Sequence, residues 1–176
     1  MTFDLQPELA NDLVLVRPLE RTDFEALYAV AKDPKIWALH QNPDRWKKEV
    51  FQTFFEEALA GKAAFAIIDG KTGNIIGSSR YRLSAKAANA IEIGWTFLSR
   101  THWGGTYNKA FKDLMITHAF THFDHVLFHV NGNNLRSQRA VRKLGGVLLE
   151  RDGPLGHLCD LRENALTFCL HHPNHG

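Results

Sequence analysis

The sequence predicts one α/β domain built on a mixed sheet, and three observations support this. The chain has 176 residues, of which 44% are hydrophobic and 23% charged, enough for one sizeable core. Apolar residues recur with a period of two in some segments and of 3.6 in others. The two kinds of segment alternate in the order β-α-α-β-β-β-α-β-α-β-β. We expect a single domain over 1–176, with 171–176 as a frayed tail.

The first third of the chain is expected to form one strand and two helices. A strand over 12–17 is rich in valine and leucine. Thr22 and Glu25 have capping-box spacing, which predicts the start of a short helix. Asn42 followed by Pro43 predicts the start of a second helix, because proline suits the first helical position.

The next segments are predicted to be a hairpin and a third strand, followed by alternating helices and strands. A hairpin over 63–83 turns at 69–73. The strand over 90–98 alternates, so Glu92 is a carboxylate in mid-strand. One face of this strand should carry Ile91, Ile93, Trp95 and Phe97. The remaining predicted elements are a helix over 106–122, a strand over 126–130, a helix over 134–144, and closing strands over 146–150 and 165–170.

Charge and hydropathy exclude two kinds of partner. The formal net charge is only +2 and no nucleic-acid motif is present, so nucleic acid is not an expected partner. No apolar run approaches the roughly 18 residues of a membrane helix. The first ten residues include Asp4, Pro7 and Glu8 where a signal peptide would be apolar. A cytoplasmic protein without a membrane partner is expected.

Ten histidines raise the question of a metal site. His118 and His122 have a spacing that can hold zinc on a helix, but the glutamate of a metalloprotease motif is missing. A second group fits no paired cysteine pattern: His157, Cys159, Cys169 and His171. We therefore predict no metal, and a metal-binding structural protein is the less favoured alternative.

Two helix starts carry candidate ligand-binding residues. A loop with two glycines, which lets the backbone approach an anion, precedes the helix at 106. Its candidate binding residues are Trp103, Gly104, Gly105, Thr106, Tyr107 and Asn108. A simple chain reversal explains the glycines equally well. At the other start, Asn134 is a natural N-cap and Ser137 lies in the first turn.

Taken in order, Glu92–Trp95, Trp103–Asn108 and Asn134–Ser137 resemble the GNAT superfamily of N-acetyltransferases. Within it, the sequence is most similar to the branch of the ribosomal-protein N-terminal acetyltransferases. The resemblance covers the chain from Leu13 to Leu170. It implies a mainly antiparallel sheet of about seven strands, with about four helices on both faces and a splay between strands 4 and 5.

The resemblance also implies a binding site for acetyl-CoA as co-substrate. The family's pyrophosphate loop, Q/R-x-x-G-x-G/A, falls on 101–106, and Thr101 and Thr106 depart from it. The family's Asn-x-x-Ser falls on Asn134 and Ser137. Carbonyl polarisation is assigned to backbone N–H groups of Trp95, Thr96 and Phe97.

The implied activity is transfer of an acetyl group to a primary amine, such as a protein N-terminus, an amino acid, a polyamine or an antibiotic. Glu92 matches the general base of some relatives, although a surface or ion-paired glutamate explains it too. The usual tyrosine acid is replaced by Val141, which leaves Ser137 as the candidate acid or as a plain first-turn residue. Trp37 and His40 are expected beside the acceptor. A non-catalytic acyl-CoA-binding module is the alternative, and a homodimer is left open.

Overall fold

The computed structural model describes residues 2–173 and contains an eight-stranded sheet, ordered β1-β2-β3-β4-β5-β6-β8-β7. The strands are β1 (Leu9–Ala10), β2 (Val14–Pro18), β3 (Ala64–Asp69), β4 (Ile75–Leu83), β5 (Ala90–Leu98), β6 (His125–Asn131), β7 (Val147–Leu148) and β8 (Ala165–His171). Neighbouring strands are antiparallel except β5 and β6, which are parallel. The predicted mixed, mainly antiparallel sheet is confirmed.

Five helices cover the sheet: α1 (Phe24–Ala31), α2 (Pro34–Trp37), α3 (Lys48–Ala60), α4 (Tyr107–Ala119) and α5 (Leu135–Lys143). The alternation of β3 separates the two faces. Phe65 and Ile67 pack in one core cluster with α4 and α5, whereas Ala64 and Ala66 pack in another with α1, α2 and α3. Between residues 2 and 173, every helix is too short or too polar to cross a bilayer.

The structure departs from the predicted elements at several ends. The sheet gains β1, which pairs with β2, and the short α2 brings the helices to five. The second long helix begins at Lys48 rather than at Asn42, because Lys47 is extended (ψ 133°) and ends a series of turns. The capping box before α1 pairs Glu20 with Asp23 rather than Thr22 with Glu25.

The closing strands also differ from expectation. The predicted strand over 146–150 shortens to β7. His171 pairs with His125 in the sheet, so this residue does not belong to a frayed tail. Of the rest of the predicted tail, 174–176 lie outside the described residues.

A bulge in the β4–β5 ladder reverses the two faces of β5. Pairing shifts register between Ser78 and Arg80, and Trp95 adopts a positive φ of 51°. Ile91 packs toward α4, whereas Phe97, six residues later, packs with α3 on the opposite face. The predicted single face from Ile91 to Phe97 is therefore wrong beyond Gly94, since one extra residue changes the parity of a strand.

The splay predicted between the fourth and fifth strands lies between β5 and β6, because β1 adds one to the numbering. These strands pair only where Ala90–Glu92 faces His125–Leu127. Beyond Glu92 they diverge. The backbone edge of β5 toward Leu98 is thereby left without a partner strand on that side.

Candidate active site

A cavity of about 280 Å³ opens where β5 and β6 diverge. Most of the residues predicted for the site line it: His40, Glu92, Trp95, Thr96, Phe97, Trp103, Gly104, Asn108, Asn134 and Ser137. These residues come from the loop after α2, from β5, and from the starts of α4 and α5. The splay therefore gathers segments that are far apart in the sequence.

Four predicted site residues do not line the cavity: Trp37, Gly105, Thr106 and Tyr107. Trp37 is only 1% exposed, and its indole N–H donates to the carbonyl of Ala31 (2.7 Å), so it supports the wall from behind. The Tyr107 hydroxyl donates to Asp69 (3.1 Å). Gly105 and Thr106 belong to the loop that leads from the cavity into α4.

The glycine loop presents unsatisfied backbone donors. No acceptor within residues 2–173 takes a hydrogen bond from the N–H groups of Gly104–Lys109, and Thr106 does not cap the helix with its side chain. Gly104 has a φ of +69°, and a Cβ at Gly104 or Gly105 would meet no atom within 4 Å. Open space beside uncapped N–H groups at the positive end of a helix dipole suits a phosphate.

At the start of α5, by contrast, a side chain accepts a hydrogen bond from a backbone N–H group. The Asn134 side chain accepts a hydrogen bond from the Ser137 N–H (3.1 Å), as predicted for an N-cap. Ser137 lines the cavity, and its hydroxyl has no hydrogen-bond partner within the described part of the chain. Arg136 stacks on the Trp103 ring at 3.6 Å, which links the start of α5 to the loop before α4.

Glu92 is a buried carboxylate on the cavity wall. It is 5% exposed and pairs with Arg82 (Oε2 to Nη2, 2.5 Å). Burial raises its pKa, while the Arg82 charge opposes the rise. His129 Nε2 lies 4.0 Å from the same oxygen. Burial lowers the pKa of His129 to about 4, so this imidazole is neutral at pH 7 and forms no ion pair there.

Lys112 is a cavity residue that sequence reasoning missed. This α4 side chain is 4% exposed, and its ammonium donates to Thr96 Oγ1 (2.6 Å) and Ser79 Oγ (3.2 Å). Burial lowers its pKa to about 7. Its position three residues before Met115 and seven before Ala119 places it on the buried helix face, and that spacing is the signal that identifies it.

The histidines do not assemble as the sequence suggested. Within residues 2–173, one cluster of three ligating side chains forms, and it consists of His125, Cys169 and His171. His157 and Cys159 are not part of it. Burial raises the pKa of the Cys169 thiol to about 12, which disfavours the thiolate that zinc requires. His118 instead contacts the carbonyl of Asp4 (2.9 Å).

Lys112→Met is expected to stabilise the fold near pH 7 and to flatten its pH dependence. An unfolded lysine titrates at about 10.4, well above the folded value of about 7. Between these values the unfolded chain holds an extra proton, so stability rises with pH by up to about 1.4 kcal/mol per unit. Ser79 and Thr96 remain bonded to each other (2.9 Å) without the lysine.

Urea unfolding at several pH values between about 7.5 and 9 measures this effect. Lys109→Met, on the exposed side of the same helix, is the matched control and should retain the wild-type slope. Equal slopes for wild type and Lys112→Met would contradict the assignment.

Comparison with known proteins agrees with this geometry. Residues 14–147 match the family model described as an acetyltransferase (GNAT) domain. A search of curated proteins finds no match. Similar solved structures include the acetyltransferase (GNAT family) from Bacillus anthracis, with a TM-score of 0.75, 15% identity, and coverage of 94% of this chain and 99% of that one.

Two further similar structures contain a bound ligand. Spermidine N-acetyltransferase from Vibrio cholerae, in complex with CoA and spermine, has a TM-score of 0.69, 14% identity, and coverage of 92% and 97%. RimJ from Mycobacterium smegmatis, in complex with CoA-disulfide, has a TM-score of 0.64, 17% identity, and coverage of 94% and 86%. At these identities the likeness shows a shared fold. Because the family model spans most of the chain, this protein belongs to the GNAT acetyltransferase family.

Proposed function

We propose that this protein is an acetyl-CoA-dependent N-acetyltransferase that acetylates a primary amine. The observation that carries the proposal is the uncapped start of α4 beside the splay of β5 and β6, in a chain of the GNAT family. The likeness to RimJ supports a place near the ribosomal-protein N-terminal acetyltransferases. The cytoplasm as location and a single domain over 1–176 belong to the same proposal.

The cavity offers a separate group for each part of acetyl-CoA. The free N–H groups of Gly104–Lys109 would hold the pyrophosphate. The Asn134 side chain caps α5 with its oxygen, and its amide N–H₂, which has no partner within residues 2–173, would donate to the pantetheine arm. The unpaired edge of β5 at Trp95, Thr96 and Phe97 would donate to the thioester oxygen.

The reaction needs a base for the amine and an acid for the thiolate. The amine nitrogen bonds to the thioester carbon, the carbon–sulfur bond breaks, and the sulfur leaves with its electron pair. Glu92 would accept the proton of the amine, because burial raises its pKa toward the range of a general base. Ser137 would donate the proton to the sulfur, since it lines the cavity and its hydroxyl has no other partner within residues 2–173.

A non-catalytic acyl-CoA-binding module is the second candidate. Val141 lines the cavity at the position where many relatives have a tyrosine acid, so the motif leaves Ser137 as its candidate acid. Saturable binding of acetyl-CoA without thiol release on any amine would favour this module over the enzyme.

Acetyl-CoA is expected to bind with its pyrophosphate at the glycine loop. Gly105→Asp places a carboxylate in the open space beside the free N–H groups and should raise the Kd for acetyl-CoA at least about tenfold. Titration calorimetry measures the change. Gly105→Ala fills the same space without charge and is the control, and acetyl-pantetheine, which lacks the pyrophosphate, should bind both variants alike. An equal loss with acetyl-pantetheine would contradict this placement.

Glu92→Gln is expected to slow acetyl transfer about a hundredfold or more, the usual scale of general-base catalysis. Because the pKa of Glu92 is raised, kcat/KM of the wild type should fall as the pH drops through a value above that of an ordinary glutamate. The variant should lose this fall. Thiol release across pH measures it, and an unchanged Kd for acetyl-CoA shows that the site is intact. A wild-type pH profile in the variant would remove Glu92 from the mechanism.

Ser137→Ala is expected to lower kcat at least about tenfold while leaving the affinity for acetyl-CoA close to normal. The helix cap survives, since Asn134 binds the backbone N–H of Ser137 rather than its hydroxyl. Ser99→Ala removes a hydroxyl that pairs with Thr101 and serves as the control. Unchanged turnover with normal affinity would leave Ser137 as a plain first-turn residue.

A further inference from the structure

The cavity wall carries basic side chains that form no direct ion pair with an acid of the described chain. Arg45, Arg136 and Lys112 all line it. Within residues 2–173 none of the three forms an ion pair, whereas the arginines beside them do: Arg82 pairs with Glu92, and Arg162 with Asp160. Glu92 is the only carboxylate among the described residues of the wall, and its charge is paired with that of Arg82.

Arg45 is the most unusual of these groups. Its guanidinium lies 4.5 Å from the centre of the Phe54 ring and 5.7 Å from that of Trp37. The nearest acid in sequence, Asp44, pairs with Lys47 (3.1 Å) instead. Burial lowers the pKa of Arg45 to about 10, and the charge of Glu57 opposes this only from beyond ion-pair distance, so the fold holds a largely desolvated cation.

A second guanidinium strengthens the positive field at the same ring. Arg80 lies 4.4 Å from the centre of Phe54 and is 9% exposed. One of its nitrogens donates to the carbonyl of Phe54 (2.8 Å), while its Nε is buried without a hydrogen-bond partner within the described chain. Two arginines on one aromatic ring, which feel the charge of Glu57 but form no direct ion pair within residues 2–173, favour an anion from outside the protein.

Arg45 reaches the cavity wall from the face of the sheet opposite the helix that begins at the pyrophosphate loop. Arg45 packs on Phe54 of α3, on the face of the sheet opposite α4. The glycine loop precedes α4 and has its own free N–H donors. Arg45 also lies in the same segment as His40 and Gln41, and Gln41 is tied to Arg162 (2.9 Å). Arg45 therefore belongs to the part of the wall that is left for the acceptor.

Resting on the proposed function, we infer that the acceptor is a small amine that carries a carboxylate, of amino-acid size, and that Arg45 binds this carboxylate. The amine would then point toward Glu92, the one acidic group of the wall. A cavity of about 280 Å³ that also admits an acyl-pantetheine end favours a small acceptor group next to the thioester. A polyamine is disfavoured, since its extra positive charges would face Arg45 and Arg136.

Matched acceptors test this inference through thiol release. Each of several amino acids is compared with its carboxamide, which differs only in the negative charge, and spermidine is included. We expect the wild type to prefer the acid over the amide about ten- to a hundredfold in kcat/KM. Arg45→Gln should abolish this preference, so that acid and amide react with equal kcat/KM. Arg45→Lys, which keeps the charge, should retain part of it.

Lys47→Gln is the control variant. It removes a positive charge two residues away, on a side chain that does not line the cavity, and should keep the preference of the wild type. Equal rates on acid and amide, or faster acetylation of spermidine, would overturn the inference about the acceptor. The proposed N-acetyltransferase activity would be unaffected by that result.

A binding measurement separates the two proposals. In the presence of CoA, NMR titration with N-acetylglycine and with N-acetylglycinamide should show tighter binding of the acid to the wild type and no difference with Arg45→Gln. Such binding without turnover on any amine would overturn the proposed enzyme and support the anion site. Equal binding of acid and amide to the wild type would overturn the anion site.

Discussion

The divergence of β5 and β6 after Glu92 is the constraint on which the site depends. A parallel pair that stays in register would fill its own gap with backbone hydrogen bonds and leave no cleft. The bulge in the β4–β5 ladder, with Trp95 at positive φ, redirects β5 just beyond the last paired residue. The bulge also turns Phe97 into the core under α3 and Thr96 toward Lys112, so each residue of this strand segment has a defined place.

Charge is distributed in the cavity in a way that a purely structural core would avoid. Burying Lys112 beside two hydroxyls, and Arg45 and Arg80 on one phenyl ring, costs solvation that no acid within residues 2–173 offsets by a direct ion pair. Perturbed ionisable groups concentrate at functional sites for this reason. Their concentration in and behind the wall of one cavity supports a site that handles charged ligands.

Regular patterns in the sequence predicted most of the fold, and local irregularities explain the failures. The hairpin, the strand over 90–98 and the helix capped by Asn134 have clear periodicity or a clear cap, and the structure contains them. The start of α3 was missed because Asn42 and Pro43 imitate a helix start, while the extended Lys47 delays it. The alternation of residues does not reveal the bulge at Trp95. A bulge moves the following side chains to the other face of the strand without any change in composition.

The site was predictable where a motif names its residues and not where tertiary packing selects them. Gly104, Asn134 and Glu92 follow from the resemblance, and all three line the cavity. Trp37 was expected at the acceptor, yet its size and apolar character place it in the core. Arg45 and Lys112 were not predicted for the site, although both line the cavity. Charged residues are assumed to face solvent unless the sequence shows a partner for them.

The stack of Arg136 on Trp103 has an optical consequence. The guanidinium lies 3.6 Å from the ring centre, and both residues line the cavity between the starts of α4 and α5. An anion that enters there competes for the arginine and alters the electrostatic field at the indole. Trp103 fluorescence is thus an intrinsic reporter of occupancy, because the residue that senses the ligand's charge lies directly on the chromophore.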